Sequence, residues 1–449
     1  MRFAEYCFWM KNRFCRPQAQ KAFKQAMSYC EISVIERQKQ DFDKRRQLVE
    51  DAYMHSPFYK KFYDNRGFNP SMLKTERDWA KVPVLEKWMI REHCMDMISV
   101  KADRSRLSPS KTGGSTGAPL VVYKSKNVHY EVLAWRALYW YGVAPWMNEA
   151  IVHRRVPVSL KDKLINQALW WPTRRAYLSA TRISDNELNR FIGEIRTKKI
   201  QWVVGYCGSL EYIADYILKN AIKISSVKLV WSTSSPLTKI VREKLEKAFN
   251  CPVMDQYGCC EMGNIAVQKP GENCLTVNND YVWVDILNGD LMAPKGALGD
   301  VCITDLNTVE FPLIKYRLGD RSSLIQECEE SYDGFQKIAF VQGRTSDMLY
   351  LPNGDVIDGS YLTTICDNYS EHISCYQIYQ KMNYEIEFRC VPKSNMQEHI
   401  LVINKVAEEF RVLVKNMVDI KIEITDSLED FAGKRKFIVS DIALSKISK

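Results

Sequence analysis

The segment Lys111-Thr112-Gly113-Gly114-Ser115-Thr116-Gly117-Ala118-Pro119-Leu120 gathers three glycines with hydroxyl and ammonium donors. Glycine lets the backbone take positive φ and lets a bulky anion approach closely. Successive N–H groups in such a turn form an anion-binding concavity, to which Ser and Thr hydroxyls add donors. A polyphosphate suits that chemistry, although a surface hairpin draws on the same residues. No Lys-Ser or Lys-Thr follows the last glycine, and the apolar Leu120-Val121-Val122-Tyr123 reads as a strand. The segment is therefore neither a Walker A loop nor a dinucleotide fingerprint.

Four further clusters carry groups that complement a nucleotide. Gln256-Tyr257-Gly258-Cys259-Cys260-Glu261 offers a ring able to stack on a purine and a carboxylate suited to a hard cation. Ser232-Thr233-Ser234-Ser235-Pro236-Leu237 offers small side chains and free backbone groups beside that ring. In Tyr316-Arg317-Leu318-Gly319-Asp320 a carboxylate follows a glycine turn, where it can accept both hydroxyls of a ribose, and Gly343-Arg344-Thr345-Ser346-Asp347 repeats the theme with a cation. Gly433-Lys434-Arg435-Lys436-Phe437 is either a solvated basic run or the source of a lysine entering a site from a second domain.

The elements that must position these groups alternate. Short apolar runs at 150–152, 202–204, 227–231 and 253–254 are separated by helical periodicity over 186–198, 209–220 and 238–249. That order predicts an α/β fold with mixed, largely parallel sheets, whose ligands sit beyond the carboxyl ends of the strands. Residues 18–66 read as helical, with Phe23, Met27, Ile32, Ile35 and Leu48 as the apolar positions, and 127–142 as another helix. Residues 275–325 read as a β-rich subregion, and the rest as a small α+β domain. The expected boundaries are 1–346 for the large N-terminal domain and 347–449 for the small one.

With 449 residues, 46% hydrophobic and 26% charged, the chain has a globular composition and room for more than one core. Its net charge of +9 suits anionic small molecules or an anionic surface, but Asp and Glu interleave with the basic residues, so no nucleic-acid stripe stands out. Fourteen irregularly spaced cysteines, with Glu5, Lys11 and Arg13 interrupting the apolar N-terminus, read as reduced thiols of a cytoplasmic protein without a transmembrane segment. The Phe8-Trp9-Met10 cluster reads as part of a buried N-terminal helix, with a peripheral role as the alternative.

The five clusters, in this order, resemble the adenylate-forming superfamily of acyl-CoA synthetases, peptide-synthetase adenylation domains and luciferases. The likeness is to the branch of phenylacetate-CoA ligases, coenzyme F390 synthetases and CapK-type proteins of capsule gene clusters. That branch carries a TGGSTGAPL-like loop, then YGxxE, YRxGD, GRxxDM and a GK(x)(R/K)F tail. Ser56-Pro57-Phe58-Tyr59, Val82-Pro83-Val84-Leu85-Glu86-Lys87 and Gly205-Tyr206-Cys207-Gly208-Ser209-Leu210 extend the resemblance over nearly the full chain.

The resemblance implies ATP-dependent, AMP-forming ligation of a small carboxylic acid to CoA or to an amine. Thr112, Gly114, Ser115, Thr116 and Gly117 would then hold the β- and γ-phosphates. Ser234, Ser235 and Pro236, with Tyr257 and Gly258, would frame the adenine. Asp320 would take the ribose with Arg344 nearby, Glu261 would bind Mg²⁺, and Asp347 would mark a hinge. Lys434 would bridge the α-phosphate and the substrate carboxylate. His153, Tyr206 and Ser209 are candidates for the acid pocket, His153 also for a role in transfer. A homodimer is compatible with all of this.

Some residues depart from the pattern. Leu120 replaces a common lysine, Cys260 a hydroxyl residue before the glutamate, and Tyr350 a hinge lysine. Some relatives hold zinc after YGxxE; here Cys274 stands without a histidine in 268–280, so no structural zinc is expected. The competing reading is a nucleotide-binding subunit of the same fold that has lost its chemistry.

Overall fold

The computed structural model describes the chain except residues 1, 112–119, 154–155, 158, 181–183, 235–236, 238, 329, 342–347, 359–361, 363–364, 367–368, 370–371, 393–396, 427, 429–437 and 448–449. It falls into two compact units, one of Met1–Ser110, Val122–Arg317 and Ser322–Phe340, the other of Lys111–Val121, Leu318–Arg321 and Val341–Lys449.

The chain begins with helices α1 (Arg2–Cys15), α2 (Ala19–Ser28), α3 (Val34–His55), α4 (Pro57–Asn65) and α5 (Lys87–His93). Strands β1 (Leu107–Lys111) and β2 (Val121–Ser125) pair with each other and precede α6 (Glu131–Trp140). Alternation follows as β3 (Glu149–His153), α7 (Leu160–Trp170), β4 (Arg175–Ser179), α8 (Asp185–Thr197), β5 (Trp202–Tyr206) and α9 (Cys207–Lys219). It continues through β6 (Leu229–Thr233), α10 (Lys239–Phe249) and β7 (Val253–Cys259). Antiparallel strands then close the sheet: β8 (Gly263–Val267), β9 (Leu275–Val277), β10 (Val282–Asn288), β11 (Leu291–Met292), β12 (Leu298–Asp305), β13 (Tyr316–Gln326) and β14 (Lys337–Ile338).

The resulting sheet runs β11-β10-β12-β13-β14-β9-β8-β7-β6-β5-β3-β4, with β4, β3, β5, β6 and β7 parallel. Both faces of the parallel half are buried, as crossover helices require. Val203, Val230 and Val253 face a core filled by Leu188, Phe191, Ile192 and Ile195 of α8 and by Leu210, Ile213 and Ile217 of α9. The alternate residues Trp202, Leu229, Trp231 and Met254 face Ala137 and Leu138 of α6. α8 starts where it does because Ser184 and Glu187 form a reciprocal capping box, Ser184 N–H donating to the Glu187 carboxylate at 3.1 Å.

A buried ion pair ties the helical N-terminus to the antiparallel half. The Arg136 guanidinium donates to both Asp280 oxygens at 2.8 Å, to Asn278 Oδ1 at 2.7 Å and to the Ala26 carbonyl at 2.9 Å. Such a fork is costly to leave unmatched. Asp280→Ala should therefore destabilise the fold by about 3–5 kcal/mol, read from the urea unfolding midpoint.

In the second unit β15 (Met348–Tyr350) pairs with β16 (Val356–Asp358). β17 (Ile373–Gln380), β18 (Ile386–Pro392), β19 (Ile420–Ile424) and β20 (Ile438–Ser440) form a mixed sheet ordered β19-β18-β17-β20. α11 (Gln397–Leu413) buries Ile403, Val406, Ala407 and Phe410 in this unit's core, and α12 (Asp441–Ile447) follows β20.

Candidate active site

Parallel strands bring their carboxyl ends to one edge, and the register fixes which residues meet there. Val152 pairs with Gly205, Gly205 with Ser232, and Ser232 with Asp255. His153, Tyr206, Thr233 and Gln256 therefore form a row. The Tyr206 hydroxyl and His153 Nε2 are hydrogen-bonded at 2.5 Å, with ring centroids 4.7 Å apart. His153 is the last residue of β3 and exposed, so its imidazole faces the space beyond the strand ends. Thr233 Oγ1 donates to Gln256 Oε1 at 2.6 Å. Ser209 lies in the first turn of α9, and Ser234 follows β6 in a left-handed conformation, φ 81°, exposed to solvent.

Behind this row burial tunes two groups. The Asp255 carboxyl is pushed up to about 7 by burial, against the opposing pull of Arg242. The Cys207 thiol is pushed up to about 11, again by burial, with a hydrogen bond from Ser232 opposing it. At neutral pH this thiol is protonated and is not the form that attacks or binds a metal.

One expectation needs correction. The sequence reads as a strand over 253–254 with Gln256–Glu261 on the loop beyond its end, but β7 runs on to Cys259 and turns back into β8 through Cys260–Met262. Tyr257 opposes Ala266, Gly258 opposes Asn264, and a bulge lies between them. The strand persists because the returning β8 supplies hydrogen-bond partners that no local pattern reveals. Gly258 is there for space: a Cβ would sit 2.2 Å from the Gly263 carbonyl oxygen and 2.5 Å from Gln256 Nε2. Gly258→Ala should cost at least about 2 kcal/mol, seen as a lower thermal midpoint.

Glu261 sits in the turn of this hairpin, 7% exposed. Among the described residues its carboxylate accepts a hydrogen bond from the Tyr316 hydroxyl, at 3.3 Å. A carboxylate has about four lone-pair directions, so one long phenol contact leaves capacity for a hard cation. Ser110 Oγ donates to the Cys260 carbonyl at 3.2 Å, so β1 approaches the hairpin just before the glycine–threonine loop. Thr112, Gly114, Ser115, Thr116 and Gly117 of that loop lie outside the described residues, as do Ser235, Pro236, Arg344, Asp347 and Lys434. Asp320 belongs to the second unit and lies on β13, whose Tyr316, Leu318, Asp320, Ser322 and Leu324 alternate as buried positions.

Arg317, between Tyr316 and Asp320, is committed to structure. It donates to Glu86 at 2.9 Å, Asp300 at 2.6 Å and Asp290 at 3.1 Å. Thr233, Gln256, Ser110 and Tyr316 acquire their site positions only from strand register and tertiary contact. Tyr316 alone had a signal, its place in YRxGD. Lys337 donates to Glu272 at 2.7 Å and to Asp333 at 2.9 Å, and Cys274 Sγ lies 3.9 Å from the Glu272 carboxylate.

No family model matches the chain. Protein CapK of Staphylococcus aureus is 25% identical over 401 residues, spanning 81% of this chain and 86% of that protein. A phenylacetate-coenzyme A ligase of Thermus thermophilus is 22% identical over 325 residues, covering 69% and 70% of the two chains. The fold matches 2-hydroxyisobutyryl-CoA ligase with a TM-score of 0.60 at 17% identity, covering 93% of this chain and 92% of that one. The chain is thus similar, over most of its length, to CapK and to phenylacetate-coenzyme A ligases, and it shares the fold of an acyl-CoA ligase. In a sheet of this kind the strand-end row and the Glu261 hairpin are the natural search area, since α/β sheets bind ligands beyond their carboxyl ends. No helix among the described residues is long and apolar enough to cross a membrane.

Proposed function

We propose that the protein activates a small carboxylic acid with ATP, releasing pyrophosphate, and passes the acyl group from AMP to the thiol of CoA or to an amine. The carboxylate oxygen attacks the α-phosphorus and the bond to pyrophosphate breaks; the acceptor then displaces AMP. The observation that carries the reading is Glu261, buried in the turn of a hairpin whose Cys260 is tied to the strand entering the glycine loop.

In this reading Glu261 holds Mg²⁺, which when bound supplies positive charge against the phosphates. Tyr316 orients the Glu261 carboxylate. Tyr257 and Ser234, with Ser235 and Pro236, bracket the adenine, and Asp320 with Arg344 holds the ribose. His153 and Tyr206, linked by their hydrogen bond, line the acid pocket with Ser209. Lys434 comes from the small domain, which turns about Asp347 between the half-reactions. An amine acceptor, on an amino sugar or amino acid, would fit the likeness to CapK and a place in capsule polysaccharide synthesis.

Pyrophosphate release measured over a panel of carboxylic acids, with CoA and separately with amines, tests the reading. Release confined to a few acids, and an acyl product appearing with one acceptor class, is the expected result. ATP binding without acid-dependent release for any acid would instead favour the non-catalytic subunit.

A further inference from the structure

Two helices of the large unit turn apolar faces outward. In α1, Phe3, Tyr6, Met10 and Phe14 are 59%, 62%, 46% and 78% exposed. Their spacing puts them on one stripe, while Phe8 and Asn12 on the other side of the helix are buried. This corrects the expectation of a buried N-terminal helix: Phe8 packs at 5.0 Å from Trp135, but the opposite stripe is aromatic and open.

α7 is inverted more completely, with no buried residue. Leu160, Leu164, Ile165 and Leu169 are 80%, 71%, 47% and 60% exposed. Its polar Asn166 and Gln167 face the protein instead, Asn166 accepting from the Tyr177 hydroxyl and Gln167 donating to the Thr173 carbonyl, both at 3.4 Å.

The two stripes join. Phe3 packs edge-on against Trp171 at 5.5 Å, and the Lys11 ammonium donates to the Trp171 carbonyl. Trp171, just past α7, is itself 54% exposed. A contiguous apolar surface of this kind marks an interaction site.

Charge selects the occupant. Arg13 and Lys161 are exposed beside the apolar stripes, with Lys163 close by, whereas Arg16 is paired with Glu131 at 3.6 Å. The acids on these two helices are Glu5 and Asp162, and Asp162 is occupied capping α7 through Ser159, at 2.6 Å and 3.0 Å. Aromatic and leucine side chains with a basic border are the composition of helices that lie in a lipid headgroup layer. A second copy meeting this face isologously would bring together two surfaces of the same basic character, which is unfavourable.

We propose that the α1–α7 face docks the protein on an anionic lipid surface, the aromatic and leucine side chains entering the headgroup layer. The inference does not depend on the reaction assigned above.

Sedimentation of the full chain with phosphatidylcholine vesicles, with and without phosphatidylglycerol, tests it. Binding should require the anionic lipid and weaken at high salt. The combined variant Phe3→Ser, Phe14→Ser, Leu164→Ser and Leu169→Ser should lower the partition coefficient at least roughly tenfold. Arg13→Glu and Lys161→Glu should each lower it roughly fivefold or more. All these positions are exposed, so thermal midpoints should stay near that of the parent, and the charge variants test the idea even if the serine variant is unstable.

Failure to sediment with anionic vesicles, equal binding to neutral vesicles, or binding indifferent to both sets of changes overturns the proposal. So does a dimer in analytical ultracentrifugation that the serine variant dissociates while vesicles bind neither protein, since a second copy would then cover the face.

Discussion

Lys434→Ala should slow acid-dependent pyrophosphate release by roughly two to three orders of magnitude, while leaving the unfolding midpoint unchanged. Two anions must meet in line for the acyl-adenylate to form, the substrate carboxylate and the α-phosphoryl group. A cation between them offsets that repulsion most where the charges converge, and holding the pair in place removes the orientational cost. Because such a cation acts only while phosphorus is attacked, the second half-reaction gives the control. Supplied with preformed acyl-adenylate and the acceptor, Lys434→Ala should form product at nearly the parental rate. Equal losses in both half-reactions would mean that Lys434 serves binding in general and not the adenylation step. Within the small unit, β15 and β20 are tied together. Buried Gln380 accepts from the Tyr350 N–H at 2.9 Å, donates to the Tyr350 carbonyl at 2.7 Å and accepts from the Ser440 hydroxyl at 2.9 Å. One amide thus ties the strand that follows Asp347 to the strand that follows Lys434.

Much of this architecture is legible in the sequence, because local chemistry and tertiary demand agree there. The runs at 202–204 and 229–231 are apolar on both faces, as central parallel strands must be, and they lie in β5 and β6. The five ordered motifs carry the resemblance for the same reason: each requires particular residue types. Elsewhere the two levels part. β4 and α7 leave little trace, since α7 shows its leucines to solvent and buries none of its residues, which removes the pattern that periodicity detects. Ile35, expected among the apolar helical positions, is 80% exposed on α3. β7 outruns its apolar stretch because its partner is β8, found only after the chain reverses at Glu261. The hydrogen bonds between His153 and Tyr206 and between Tyr316 and Glu261 join residues 53 and 55 positions apart, and no spacing rule spans such gaps.

The Tyr316–Glu261 contact yields the second large effect. Glu261→Gln keeps the size and the hydrogen-bonding oxygen of the side chain but removes its charge, so it should cost roughly two to three orders of magnitude in pyrophosphate release, with the apparent Mg²⁺ requirement shifted upward. Glu261 is nearly buried, and taking a carboxylate out of water is costly unless something compensates its charge. One phenol at 3.3 Å compensates little, whereas a divalent cation would do so fully. The amide should therefore fold at least as stably as the parent in the absence of nucleotide, and stability and activity should move in opposite directions. Tyr316→Phe separates positioning from ligation. It leaves the charge and removes one hydrogen bond, so the rate should fall only by about the tenfold or so that such a bond is worth. If Glu261→Gln instead lost stability and activity together, with no change in its response to Mg²⁺, the carboxylate would be holding the hairpin and not the cation.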